Sequence, residues 1–253
     1  MSVQGKSFSR NISVYHANRW RAARKHLKCL CRNDDEETIH KLRVEIKKIT
    51  ALYELIGYCD KDFDGKKILR PLSRIFKLLG RLHDHSNALG LCLDFKIDIS
   101  ILDPERRKLK GTIKKILSLA EKHKSDLRKI KRSGVKHLQH TDTDKWEKYL
   151  HKKHLNITNS LAGTLTEKQL HETRTAIKKL IYNAGLYSTE IIKKPEIARL
   201  DRIEKLINQW HDICVFRSKL DEMNFKIAAP KIYGAVKRKE QLMMKDIRLL
   251  SLR

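Results

Sequence analysis

Apolar residues recur at intervals of three and four along almost the whole chain, a spacing that predicts helices. No convincing run alternates between apolar and polar residues as a half-buried strand would. Polar turns divide the pattern into eight segments joined by short connections. The predicted helices span 9–31, 36–57, 69–92, 104–132, 144–161, 167–187, 195–224 and 230 to the C-terminus. The pattern therefore predicts an all-α fold.

Short polar side chains mark several of the expected helix ends. Asn33–Asp35 offers N-caps for the second helix. Thr166 and Gln169 form a capping box, in which each residue satisfies a backbone N–H of the other, at the start of the sixth helix. The Ser133–Gly134 pair and residues 141–144 predict the connection in the middle of the chain.

Four short segments in the first part of the chain recur, in the same order, in the second part. The matched segments are 24–27 with 152–155, 40–48 with 171–179, 72–84 with 200–212, and 111–115 with 234–238. Collinear matches of this kind indicate an internal duplication. We therefore expect one domain over 1–253 built from two four-helix halves, 8–135 and 141–253, each made of antiparallel neighbours, with a pseudo-two-fold axis relating the halves.

The duplication preserves basic residues as well as core residues. Because a helix turns about 100° per residue, His40, Arg43 and Lys47 fall on one stripe that borders the apolar face. Two such helices in each half predict a basic groove, since Arg and Lys are the residues that bind phosphate oxygens. The candidate binding residues are His40, Arg43, Lys47, Lys48, Arg74, Lys77, Arg81, Lys114 and Lys115, with His171, Arg174, Lys178, Lys179, Arg202, Lys205, Lys237 and Arg238.

Four further residues follow the same repeat. Asp84 and Asp212 lie on the basic faces, and because a carboxylate repels a polyanion we expect them to orient neighbouring Arg or Lys side chains. His83 and His211 fall among apolar residues, so we interpret them as core histidines rather than metal ligands.

The net charge of the chain restricts the classes of molecule that we expect it to bind. The 253 residues include 56 Lys and Arg against 30 Asp and Glu, a formal net charge of +26. Such self-repulsion is most easily tolerated when a polyanion neutralises it, which points to nucleic acid, an anionic membrane or another dense polyanion. The chain has no run of about 18 apolar residues, so we expect no helix that spans a membrane. The N-terminus lacks the apolar core of a signal peptide, and the five cysteines form no C-x-x-C pair, so we expect a reduced cytoplasm.

The motifs resemble the CHAD family, named for a conserved histidine α-helical domain. His40, Arg43, Val44, Lys47 and Lys48 are similar to the family's H-x-x-R-V-x-x-[KR]-[KR] motif, and 79–84 is similar to its later L-G-x-x-R-D segment. His83 stands where the family usually has Arg, and in the second half Thr175 replaces Val and Asn208 replaces Gly. The resemblance implies two four-helix bundles with a groove for inorganic polyphosphate, an association with polyphosphate granules, no catalytic activity and no cofactor.

Two other functions stay open from the residues alone. Non-specific nucleic-acid binding is compatible with the charge, although aromatic residues are only 6% of the chain and few lie among the basic stripes, where bases would stack. A metal-dependent phosphohydrolase is suggested by the two His-Asp pairs, but their side chains diverge on the helix. His151 and His154 have helical spacing for metal ligands and lack an obvious acidic third. A membrane-surface role is weaker, since no lipidation motif is present.

Overall fold

The computed structural model describes residues 3–32, 35–138, 141, 143–163, 165–186 and 192–251, with side chains from residue 10 onwards. These residues form helices and no strand, so the predicted all-α fold is confirmed. The helices are α1 (Val3–Cys29), α2 (Glu36–Cys59), α3 (Gly65–Ile68), α4 (Arg70–Asp94), α5 (Asp103–Leu109), α6 (Thr112–Lys122), α7 (Lys124–Leu138), α8 (Thr143–Ala162), α9 (Glu167–Ala184), α10 (Lys194–Glu222), α11 (Phe225–Ala228) and α12 (Pro230–Ser251), with a 3₁₀ helix over Ile99–Leu102.

Local signals account for two of the helix starts that the sequence predicted, those of α2 and α9. The Asp35 side chain accepts a hydrogen bond from the Thr38 backbone N–H at 2.6 Å and so caps α2; the other two candidate caps, Asn33 and Asp34, lie outside the described residues. Thr166 and Gln169 exchange hydrogen bonds of 2.9 and 3.3 Å between backbone N–H groups and side-chain oxygens. The expected capping box is therefore confirmed.

The continuous fourth helix predicted over 104–132 is wrong, because the chain there forms α5, α6 and α7. Gly111 precedes α6 with φ 79°, a left-handed conformation that interrupts the helix and that glycine adopts at no steric cost. His123, with φ −99° and ψ 18°, ends α6. The expected break at Ser133–Gly134 is also wrong, since both residues lie inside α7. Gly134 is buried there, and a Cβ at this position would overlap the Tyr53 hydroxyl.

The chain forms two compact units. The first unit comprises Met1–His83, Leu109–His154 and Lys179–Ile192, and the second comprises Asp84–Lys108, Leu155–Lys178 and Lys193–Arg253. The division into halves at 8–135 and 141–253 rests on the sequence repeat and stays a prediction.

In the first unit, α1, α2 and α7 meet at the buried side chain of Tyr53. Its hydroxyl accepts a hydrogen bond from Trp20 Nε1 at 3.2 Å and donates to the Ile130 carbonyl at 2.9 Å. The Nε2 atom of His16, a fully buried residue, lies 3.0 Å from the same oxygen. Since buried polar groups are costly unless paired, this network fixes how the three helices pack.

In the second unit, α10 supplies much of the buried surface. Ile213, Phe216 and Leu220 pack in one cluster with Cys92 from the end of α4 and Val236 from α12. The Phe216 and Phe95 rings stack with centroids 6.4 Å apart. Burial of apolar side chains at helical spacing therefore sets which face of α10 is inside and leaves its basic positions toward the surface.

Among the described residues, every helix is too short or too polar to cross a membrane.

Candidate functional site

The first repeat, which we define as 40–48 on α2 and 72–84 on α4, lies in the first unit apart from Asp84. Arg43 and Lys47 are half-buried, and His40 is exposed. The guanidinium carbon of Arg43 lies 4.8 Å from the centroid of the Phe76 ring, within the range of a cation–π interaction. Gly80 allows this approach, since a Cβ at that position would lie 3.0 Å from Arg43 Nη1.

The second repeat, 171–179 on α9 and 200–212 on α10, lies in the second unit apart from Lys179. Here Arg174 and Lys178 are half-buried and belong to a hydrogen-bonded network. Asn208 Oδ1 accepts from Arg174 at 3.0 Å and from Lys178 at 3.4 Å. Lys178 also forms a 2.7 Å ion pair with Glu204, and Asn208 donates to Asp212 at 3.2 Å.

Burial changes the ionisation of the groups in the second repeat. It lowers the pKa of Arg174 and raises the pKa of Asp212, and Arg174 acts against the second shift. It also lowers the pKa of His211 to about 4, with the nearby charge of Arg174 acting in the same direction. Burial and Arg174 lower the pKa of His171 as well. Burial in the second repeat therefore favours the uncharged form of both histidines.

The histidines of each repeat lie in pairs. The ring centroids of His40 and His83 are 5.8 Å apart, and those of His171 and His211 are 5.1 Å apart. His83 and His211 are partly buried, whereas His40 and His171 are exposed. The structure thus places an exposed histidine beside the half-buried Arg and Lys in each repeat.

The two acids expected to orient basic side chains differ in burial. Asp212 is half-buried and interacts electrostatically with Arg174 and Lys178. Asp84 is exposed, and in the same unit its charge raises the pKa of Arg174 against the effect of burial. Their orienting role stays a prediction.

Lys48 and Lys179 form internal ion pairs in the first unit. Glu45 is buried and pairs with Lys48 at 3.1 Å and with Arg19 at 3.0 Å. Lys179 pairs with Glu54, which also accepts from Lys153 at 2.8 Å. The Lys48–Glu45 pair lies within α2, whereas the Lys179–Glu54 pair links α9 to α2 whether or not Lys179 also meets a ligand.

The remaining candidate residues have exposed side chains. They are Arg74, Lys77, Arg81, Lys114, Lys115, Arg202, Lys205, Lys237 and Arg238. Lys205 forms an ion pair with Asp201 at 2.7 Å on the helix surface. A solvated basic side chain can follow a flexible polyanion without desolvation, and its contribution to binding stays a prediction.

Several acidic partners were not anticipated from the sequence. Glu45, Glu54 and Glu204 hold basic candidates, and a charged residue on a helical pattern gives no sign of burial until its tertiary neighbours are known. Glu167, Cys214 and Glu240 are a further group, with ligand atoms within 4.8 Å of one another. They lie on α9, α10 and α12, so no local spacing could have found them. Arg217 occupies one oxygen of Glu240 at 2.6 Å.

Comparisons with known proteins agree with this architecture. The family model of the CHAD domain matches residues 15–221. The crystal structure of the CHAD domain from the plant Ricinus communis is similar to this chain with a TM-score of 0.74 and 14% sequence identity, and the match covers 96% of this chain and 91% of that one. At this identity the likeness is one of fold. No curated protein matches the sequence.

Proposed function

The chain belongs to the CHAD family, and from this premise we propose that it binds inorganic polyphosphate through the basic residues of its two repeats. The family is associated with polyphosphate binding in general. The observation that carries the proposal is the geometry common to both repeats, in which a half-buried Arg and Lys one helical turn apart lie beside an exposed histidine.

The chemistry of this arrangement suits a chain of phosphates. Arg can donate two parallel hydrogen bonds to phosphate oxygens, and Lys supplies a point charge on a flexible stem. Half-burial strengthens these interactions relative to a fully solvated side chain, because the local dielectric is lower. Binding should release counterions from the polymer, so the affinity should fall steeply with salt.

The location of the binding site and the biological role that we propose follow from the sequence pattern. It places the polymer in a basic groove lined by both repeats, within a duplicated arrangement of two four-helix bundles related by a pseudo-two-fold axis. It assigns the domain a binding or targeting role at polyphosphate granules in the cytoplasm, without catalysis or a cofactor.

Titration with long-chain polyphosphate tests the proposal. We expect the double variant Arg43→Gln with Arg174→Gln to bind at least about tenfold more weakly than the natural chain, because each lost charge-assisted hydrogen bond contributes about 1.5–3 kcal/mol. The matched control is Lys66→Gln with Lys226→Gln, which removes the same charge from two exposed positions outside the repeats. Unchanged affinity in the first variant, with its helical circular dichroism intact, would show that the repeats are not the site.

Non-specific nucleic-acid binding is the second candidate, favoured by the net charge of +26. A competition experiment separates the two. Single-stranded DNA and polyphosphate are offered at equal charge concentration and equal ionic strength. Displacement of bound polyphosphate by the DNA would make nucleic acid the better ligand, whereas retention of polyphosphate supports the proposal.

A further inference from the structure

The two repeats differ at the two positions that face their conserved Arg. Alignment of the repeats pairs Phe76 with Glu204 and Gly80 with Asn208. In the first repeat, Arg43 lies over the Phe76 ring and against the backbone of Gly80. In the second repeat, a carboxylate and an amide occupy the corresponding positions.

A glutamate beside the basic residues is unexpected at a site proposed to bind an anion. Its side chain is only 8% exposed, and its carboxylate forms a 2.7 Å ion pair with Lys178. It also raises the pKa of Arg174 by its charge, against the effect of burial. A carboxylate held this close neutralises the Lys178 ammonium and engages one of its three N–H donors.

Asn208 adds hydrogen bonds within this repeat. Its Oδ1 accepts from both Arg174 and Lys178, and its amide nitrogen donates to Asp212. One hydrogen bond of Arg174 and one of Lys178 are therefore directed to Asn208 on α10, and the Glu204 carboxylate of the same helix lies beside the Lys178 ammonium.

We propose that Glu204 is a built-in competitor of the polyanion, which keeps the second repeat a weaker anion-binding site than its residue pattern implies. The inference rests on the proposed function and deepens it, since it assigns to one residue of the second repeat a role that opposes binding of the polymer. A phosphate chain that reaches Lys178 and Arg174 must displace the Glu204 carboxylate from its ion pair. At the matching position the first repeat has Phe76, whose side chain carries no charge.

The test is the variant Glu204→Gln, which keeps the size of the side chain and one side-chain oxygen and removes the charge. We expect it to bind long-chain polyphosphate about tenfold more tightly than the natural chain, the lower end of the range for one charge-assisted hydrogen bond. One additional neutralised phosphate should also steepen the slope of log affinity against log salt by about 0.7. The matched control is Glu196→Gln, which removes one charge from an Arg199 ion pair of 2.8 Å on the same helix and leaves the second repeat unchanged.

Two reciprocal variants keep the test decisive if Glu204→Gln folds poorly. Glu204→Phe gives the second repeat the residue of the first and should tighten binding in the same direction. Phe76→Glu introduces a carboxylate beside Arg43 and should weaken binding. Thermal unfolding of each variant identifies those that retain the fold.

The outcomes separate the two proposals. If the natural chain binds polyphosphate and Arg43→Gln weakens it, but Glu204→Gln and Glu204→Phe leave both affinity and salt slope unchanged, the competitor role of Glu204 is wrong and the proposed function stands. If the natural chain binds no polyphosphate, the proposed function fails and this inference fails with it. Tighter binding by the Glu204 variants alone, with the control unchanged, supports both.

Discussion

The Tyr53 hydroxyl is the contact point of three helices, and Gly134 of α7 determines whether it fits. An added Cβ at Gly134 would overlap this hydroxyl and would lie 2.9 Å from His16 Nε2. We expect Gly134→Ala to lower the free energy of unfolding by about 1–3 kcal/mol, the usual range for overpacking a core. Urea denaturation followed by circular dichroism measures the change.

A second glycine provides the control for that variant. Gly90 is an exposed residue inside α4, and a Cβ there would meet no atom within 4 Å. Gly90→Ala should therefore stabilise the fold by about 0.5–1 kcal/mol, because alanine loses less backbone entropy in a helix. Equal effects at both glycines would contradict the packing argument.

His16 makes the stability of the first unit depend on pH. Burial, with the positive charge of Lys131 acting in the same direction, lowers its pKa to about 4 from an ordinary value of 6.5. Below pH 6.5 His16 becomes protonated in the unfolded chain, whereas in the folded chain it becomes protonated only near pH 4. The free energy of unfolding therefore decreases as the pH falls through this window. At pH 5 the loss from this group should reach about 2 kcal/mol.

The variant His16→Gln isolates this contribution. It removes the titrating group and keeps a polar side chain near Tyr53. We expect the free energy of unfolding of the variant to fall less between pH 7 and pH 5 than that of the natural chain, although the variant is less stable at pH 7. Parallel pH profiles for the two chains would show that His16 does not carry the dependence.

At the scale of the helices, Glu54 links α2 to α8 and α9. Its carboxylate accepts from Lys153 at 2.8 Å, from Lys179, and from the Tyr149 hydroxyl at 3.4 Å. Burial alone would raise its pKa, but the two lysines outweigh burial and hold the pKa below its usual value. Because three side chains from two other helices donate to its carboxylate, Glu54 contributes to the packing of these helices.

We expect Glu54→Gln to cost about 1–2 kcal/mol of stability at pH 7, a figure reduced because the carboxylate is partly solvated. A lowered pKa stabilises the fold above the ordinary pKa of Glu and loses that effect as the pH falls, so the penalty should shrink toward pH 3. Urea denaturation at both pH values measures it. Glu121→Gln breaks an exposed pair with Lys124 and should cost less than about 0.5 kcal/mol.

How far the sequence predicts the elements depends on whether the signal is local. The capping box at Thr166 and the apolar spacing of α2 are local signals. The helices predicted from these signals are present in the structure. The three-part α5–α7 region was predicted as one helix because the apolar spacing continues through Gly111, and spacing alone does not indicate its left-handed conformation. The contacts of Glu54 and Glu204 are set by tertiary packing, so local spacing could not identify them as partners of the basic candidates. The binding role of those candidates stays a prediction.

At the scale of the whole molecule, the charge of +26 acts on stability and on binding in opposite directions. Raising salt from about 20 to about 200 mM shortens the range of electrostatic interactions from roughly 20 to 7 Å. Self-repulsion in the free chain then weakens, so its melting temperature should rise, while its affinity for polyphosphate falls. Calorimetry and titration in the same buffers measure both quantities. A melting temperature that falls with salt would show that attractive pairs outweigh the repulsion.

The first unit is built from stretches that lie far apart along the chain, and this limits where the chain can be cut into fragments that fold. That unit takes segments from three separate stretches, and the buried residues Trp146, Tyr149 and Asn183 come from beyond the middle connection. A break near residue 140 would leave the N-terminal fragment without side chains that fill its own interior. Two fragments made separately should therefore be unfolded alone and regain helical structure when mixed, which would make this position suitable for a split reporter whose signal depends on reassembly.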